Sequence, residues 1–276
     1  MAAALGTQLP APHLGLRAFG AQAIPLLTDD ALFEQTGVRV AFSGRSGGVS
    51  EGPYATLNVG NHVGDAAACV EENRRRLLAA LDASDVELVV PSQVHGDALV
   101  RIEARDAASL AAARTAACDG ADGLVVSVPQ VAALLCFADC VPVVIVSPRG
   151  CFAVVHAGWR GVMNGVAAKA VRAMASGDAA GLNVYIGPHI HVECFETGED
   201  VRAGFVSRFG EACAPDARHV DLLEALRIGL CEVGVLRDRI VDAGVCTKCR
   251  PGEYFSYRAA GGVCGRHGAL AFRKDR

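Results

Sequence analysis

Two histidines and a cysteine stand where short apolar runs of the chain give way to turns: His95 in Gln93-Val94-His95-Gly96, Cys140 in Asp139-Cys140-Val141-Pro142, and His156 in His156-Ala157-Gly158-Trp159-Arg160-Gly161. Strand ends next to glycine or a polar turn are common places to build a site. Two imidazoles and a thiolate form a nitrogen-and-sulfur ligand set that suits Zn²⁺, and three protein ligands leave the fourth tetrahedral position open, as in catalytic zinc sites. Such an ion lowers the pKa of its water to about 7 and polarises substrate oxygen or nitrogen, which serves hydrolysis and group transfer. The same residues also fit a metal-free Cys-His pair, in which a histidine deprotonates Cys140 for attack on an acyl or amide carbon. With 44 residues between His95 and Cys140 and 15 between Cys140 and His156, spacing leaves both readings open beside a third, a buried thiol near hydrogen-bonded histidines.

A second metal pattern lies near the C-terminus. Cys246-Thr247-Lys248-Cys249 and Cys264-Gly265-Arg266-His267 have the Cys-x₂-Cys and Cys-x₂-His form of a structural zinc site, with reduced buried thiols as the alternative. The His-x-His pair at His189 and His191 falls in a turn-like stretch and reads as surface or pocket-rim polarity. The chain has 11 cysteines spread over 276 residues, so thiols are expected rather than a disulfide framework. Cys136 and Cys151, inside apolar runs, read as small buried hydrophobes.

The elements that must position these residues follow from periodicity. Residues 38–42 read as a strand entering the glycine-rich loop Ser43-Gly44-Arg45-Ser46-Gly47-Gly48, and Asp65 is a candidate N-cap for a helix to residue 82. A strand is expected at 88–90. Apolar runs at 124–128, 131–137, 141–146 and 151–155, separated by turn residues, predict adjacent buried strands. Helices are expected near 162–174, 200–209 and 222–233, with strands at 184–186 and 269–272. Strands paired without intervening helices predict an α+β fold with mixed sheets rather than a doubly wound parallel one. Residues 1–35 read as a poorly specified leader, and residues 36–276 as a single domain.

The hydrophobic fraction, 51%, is ample for a core, while the aromatic fraction, 5%, makes packing depend on many small side chains. The net charge of −4 provides no basic field for a nucleic-acid backbone, and Arg74-Arg75-Arg76 reads as a solvated helix face. No run reaches the roughly 18 apolar residues of a membrane span, because Pro129, Asp139 and Pro142 interrupt residues 124–146. A cytoplasmic location without membrane partners is expected. Oligomeric state is open.

The chain resembles the YfiH-like family, earlier described as multicopper polyphenol oxidases or laccases. The resemblance covers nearly everything after residue 35 and rests on ordered motifs. They include Ser43 to Ser50, Leu57-Asn58-Val59-Gly60, Val63-Gly64-Asp65, Glu72-Asn73-Arg74, Ala121-Asp122-Gly123, Ala138 to Pro142, His156 to Gly161, Ile186-Gly187-Pro188, Cys194-Phe195-Glu196, Phe255-Ser256-Tyr257-Arg258 and Gly265-Arg266. It implies that His95, Cys140 and His156 are metal ligands within a layered α/β/β/α sandwich similar to cysteine-hydrolase-like domains. It also implies zinc-dependent phosphorolysis of adenosine, inosine and methylthioadenosine, with some adenosine deamination.

Purine nucleosides and phosphate would then be the small-molecule partners, and Arg45, on its glycine loop, is a suitable cation for phosphate. In deamination Asp139 could shuttle protons as an activated water attacks purine C6, or it could brace a ligand. Copper enters through the older family label, but coupled copper centres use many histidines and the chain has eight in all. Two other classes stay open: a metal-free amidase acting on cell-wall precursors, as in peptidoglycan editing, and a binding protein in which the three residues are only a clamp.

Overall fold

A computed structural model describes residues 8–174 and 178–275. In chain order the first elements are β1 (Gly15–Phe19), β2 (Ile24–Thr28), α1 (Asp30–Thr36), β3 (Val38–Ser43), α2 (Ala67–Ala80), β4 (Glu87–Val89) and β5 (Leu99–Ile102). Through the middle run α3 (Ala107–Asp119), β6 (Gly123–Val126), β7 (Val131–Phe137), β8 (Val141–Val146) and β9 (Phe152–Ala157). The last third holds α4 (Trp159–Met163), α5 (Val166–Met174), β10 (Asn183–Ile186), α6 (Glu199–Phe209), α7 (Leu222–Glu232), β11 (Ile240–Asp242) and β12 (His267–Arg273).

Two six-stranded sheets form, ordered β1-β2-β3-β12-β7-β4 and β11-β10-β8-β9-β6-β5. Both are mixed: β4 runs parallel to β7, β5 to β6 and β10 to β11, and the other pairs are antiparallel. Period-two alternation decides the layers. In β8 and β9, Val144, Val146, Phe152 and Val154 face Val40, Phe42, Leu135 and Phe137 of the other sheet. Their neighbours Val143, Ile145, Ala153 and Val155 face Val162, Val171, Phe205 and Leu226 of the helices. On the outer side of the first sheet, Leu134, Leu270 and Phe272 pack on Leu77 and Ala80 of α2. The expected α/β/β/α sandwich is what results. Because both sheets are covered on both faces, their central strands read as unbroken apolar runs rather than alternating ones.

Structure begins earlier than expected. Within the stretch read as a leader, β1 and β2 form a hairpin that joins β3 in the register Leu26↔Ser43, and Ile24, Leu26 and Leu32 are fully buried. Without this hairpin β3 would be an open sheet edge. Pro25 and the brevity of the apolar run hide the strand in the sequence. Residues 1–7 lie outside the described residues.

Other differences are local. Asp65 does not cap α2, whose N-cap is Ala66. Instead Asp65 accepts hydrogen bonds from Ser50 Oγ (2.6 Å) and Asn58 Nδ2 (2.8 Å). The helix expected over 162–174 is two helices, because Gly165 between them has a φ of 71°.

Candidate metal centre

The second sheet gathers the chemistry at one end. Asp122 immediately precedes β6, Cys140 immediately precedes β8, and His156 is the penultimate residue of β9. Since β9 is antiparallel to both β6 and β8, the start of those two strands and the finish of β9 coincide. His95 arrives from the loop between β4 and β5. One donor atom each of His95, Cys140 and His156 lies within 4.8 Å of the others, and the two imidazoles meet edge to face with centroids 4.8 Å apart.

Asp122 holds this arrangement. It is fully buried, and its Oδ1 lies 2.8 Å from His156 Nδ1. With the carboxylate ionised, Nδ1 carries a proton and donates, so Nε2 is the nitrogen that would give up its proton to bind a metal. The same carboxylate accepts the backbone N–H groups of Val94 (3.3 Å), His95 (3.0 Å) and Gly96 (2.6 Å). Those bonds hold His95 at a φ of 58°, a region that non-glycine residues seldom occupy. Behind the cluster, a Cβ on Gly158 would come 3.1 Å from Cys140 Sγ and 3.2 Å from His95 Cδ2, so any larger residue there presses on both side chains.

Electrostatics favour an ionised sulfur. Burial works against a charged Cys140, yet the His156 charge and hydrogen bonds from both histidines bring its pKa down to about 6. Burial likewise opposes a charged His156, but the Cys140 thiolate and Asp122 push it up to about 9. Without a metal the cluster is thus a thiolate beside a His156 imidazolium; loss of the Nε2 proton to a bound cation would give a thiolate and two imidazoles, one oriented through Nδ1 by a carboxylate, as in many zinc sites.

The cluster opens on a cavity of about 450 Å³ lined also by His62, Gln93, Asp139, Phe195, Tyr257, Arg258 and Arg266. Arg258 is anchored by the Glu196 carbonyl (3.2 Å), and Arg266 by those of Cys264 and Gly265 (both 2.9 Å), so neither cation is neutralised there. Burial and the Arg266 and Arg74 charges hold His62 below its ordinary pKa, so it is neutral at pH 7.

The remaining candidates fall elsewhere. Arg45 does not reach the cavity. Its Nε donates to the Ala55 carbonyl (2.8 Å) and its Nη1 to that of Pro251 (2.7 Å), and the guanidinium stacks over Phe255. The glycine loop is pinned rather than flexible, because Asn73 of α2 accepts from Val49 N and donates to Ser50 Oγ. Asp139 does line the cavity, at a φ of 92°. Both of its oxygens are occupied, one by Thr247 Oγ1 and one by Arg258 N (each 2.7 Å), so it braces two loops.

His189 is buried rather than at the surface. Cys246 and Cys249 come together with Cys194 and Glu193, not with Cys264 and His267. Sequence reasoning did not single out Asp122, Arg258 or Arg266. All three stand in motifs quoted for the family resemblance, but nothing local marks one as a carboxylate behind a ligand and the others as cavity cations.

Fold and site together define an α/β/β/α sandwich with a His₂Cys constellation at the sheet ends. The chain belongs to the YfiH family, whose family model, described as multi-copper polyphenol oxidoreductase laccase, matches residues 39–274. The purine nucleoside phosphorylase YlmD of Geobacillus stearothermophilus is 34% identical over 242 residues, covering 84% of this chain and 88% of that protein. An adenosine deaminase, RL5, from an unknown prokaryotic organism is 33% identical over 245 residues, covering 85% and 94%. Among solved structures, the Bacillus licheniformis hypothetical protein YfiH superposes with a TM-score of 0.82 at 28% identity, covering 93% of this chain and 99% of that one. Among the described residues no helix is long and apolar enough to cross a membrane.

Proposed function

We propose that the protein is a zinc-dependent purine nucleoside phosphorylase acting on adenosine, inosine and methylthioadenosine, with adenosine deamination as a second activity of the same site. The observation that carries this reading is the His95, Cys140 and His156 cluster opening on a cavity with two cations and an aromatic pair. Relatives named for phosphorolysis and for deamination support it. His95, Cys140 and His156 would hold the ion, which supplies Lewis acidity toward a substrate oxygen or nitrogen. The donor set fits zinc better than the coupled copper of the family model's name, which needs more histidines than converge here.

The chain's own groups do the rest. Arg258 and Arg266 bind phosphate and hold it against the ribose. An oxygen of hydrogen phosphate then bonds to C1′ as the bond from C1′ to the purine nitrogen breaks, and the proton that hydrogen phosphate gives up ends on the departing base. Phe195 and Tyr257 line the cavity as apolar surface for the purine, with the Arg258 and Arg266 guanidiniums 5.6 and 5.8 Å from their ring centres. Neutral His62 can accept or donate a hydrogen bond within the same cavity. The test is release of free base from nucleosides with and without phosphate, in wild-type protein and in His95→Ala and Cys140→Ala variants.

The Cys140 thiolate beside a His156 imidazolium favours one second reading, a metal-free cysteine nucleophile acting on an amide of a cell-wall precursor. Full activity after exhaustive chelation, with loss in Cys140→Ala, would select it.

A further inference from the structure

Three thiols and a carboxylate converge from two segments, Glu193 and Cys194 just before Phe195 and Cys246 and Cys249 in the turn after β11. One donor atom each of Glu193, Cys194, Cys246 and Cys249 lies within 4.8 Å of the others. Cys194 Sγ and Cys249 Sγ are 3.4 Å apart, and Cys249 Sγ is 4.0 Å from Glu193 Oε1. We propose that these four residues form a second zinc site, structural in role, that staples the segment around Cys194 to the Cys246-Thr247-Lys248-Cys249 turn.

The geometry suits that ion. Zinc–sulfur bonds of about 2.3 Å at tetrahedral angles place sulfurs about 3.8 Å apart, close to the separation found here. A disulfide is a worse match, since bonded sulfurs sit at about 2.05 Å and pairing two thiols would strand the third. Cys246 and Cys249 are spaced as Cys-x₂-Cys on a tight turn, in which Arg250 N donates to the Cys246 carbonyl (3.2 Å). The His191 N–H points at Cys246 Sγ (3.4 Å), a donor placed to stabilise a coordinated thiolate. Thiolates this close repel one another, and a divalent cation between them removes the repulsion. Binding releases the thiol protons to solvent, and four protein donors leave no position open.

The location gives the site a purpose. Phe195, next to Cys194, lines the cavity. Thr247, next to Cys246, donates to Asp139 beside Cys140. A metal joining the two segments would hold one cavity wall and the Asp139 brace in fixed relation. Sequence pattern pointed to the Cys-x₂-Cys half, but its partners come from a segment more than 50 residues earlier, since Cys194 and Cys249 are 55 apart.

The test is the zinc content of protein made under reducing, zinc-replete conditions. Cys249→Ser and Cys194→Ser should each lose about one zinc per chain relative to wild type and melt at lower temperature, while Cys118→Ser, exposed on α3, keeps the full complement. In Cys140→Ala protein, X-ray absorption at the zinc edge should show a sulfur-dominated shell, a readout that stands even if Cys249→Ser fails to fold. Unchanged zinc in both serine variants, a nitrogen-and-oxygen shell in Cys140→Ala, or a Cys194–Cys249 disulfide in place of metal would each overturn the proposal. The outcome is independent of the first site: if His95, Cys140 and His156 bound nothing, wild type would still carry the zinc that Cys249→Ser removes.

Discussion

Asp122 Oδ1 lies 2.8 Å from His156 Nδ1, and the same carboxylate gathers the backbone N–H groups of Val94, His95 and Gly96. One buried side chain therefore sets the tautomer of one candidate ligand and the backbone of another. Asp122→Asn keeps the shape but cannot carry the charge that orients His156. Carboxylates behind metal-bound histidines commonly contribute 10- to 100-fold in affinity, so zinc affinity should fall by about that factor. Chelator competition measures it, and an affinity equal to wild type would contradict the role given to Asp122.

Gly158 is the tightest point behind the cluster. A methyl group there meets Cys140 Sγ and His95 Cδ2 at 3.1 and 3.2 Å, tighter than ordinary contact. Gly158→Ala should therefore reduce zinc occupancy and base release while leaving the circular dichroism spectrum of the sandwich unchanged. Full zinc content in this variant would show that the cluster can yield without cost.

The arginines divide by what they touch. Arg258 and Arg266 line the cavity, whereas Arg45 is spent on two carbonyls and the Phe255 ring. A hydrogen bond to a charged group contributes about 1.5–3 kcal/mol, so Arg258→Met or Arg266→Met should raise the KM for phosphate by roughly 10- to 150-fold. Arg45→Ala should leave that KM near wild type and lower stability instead, by roughly 1 kcal/mol for the lost hydrogen bonds, one of them exposed to solvent. The reverse pattern in steady-state kinetics and urea unfolding would return Arg45 to the site.

His267 makes stability depend on pH. Burial holds its pKa down to about 3, against an ordinary value of 6.5. The unfolded chain therefore binds a proton in a range where the native protein does not. Its contribution is fully present above pH 6.5 and is lost as pH falls toward 3. Urea midpoints should decline between pH 7 and pH 5, and less steeply in His267→Met. Identical slopes for the two proteins would remove His267 as the cause.

The layered architecture was legible because strands buried on both faces leave continuous apolar runs, as in β7 and β8. The edges were not. The β1–β2 hairpin is short and interrupted by Pro25, and α3 is so rich in alanine that its buried face, Leu110, Ala113 and Ala117, leaves no stripe. For the site, His95, Cys140 and His156 were visible as polar residues at strand ends. Arg45 misled because a cation on a glycine loop looks available until the loop's partners are known. Asp122 stayed hidden because a carboxylate before a strand has no meaning until β6 and β9 are paired, and Cys194 because its partners are brought to it by tertiary structure alone.

The most direct test of the central claim follows zinc and free base together. Protein purified with its metal is stripped with chelator, assayed with inosine in the presence and absence of phosphate, and then reloaded with stoichiometric zinc. Hypoxanthine release that requires phosphate, vanishes on stripping, returns with zinc and is absent in His95→Ala and Cys140→Ala is the predicted result. Release that persists in fully stripped protein, or that never depends on phosphate, would contradict it.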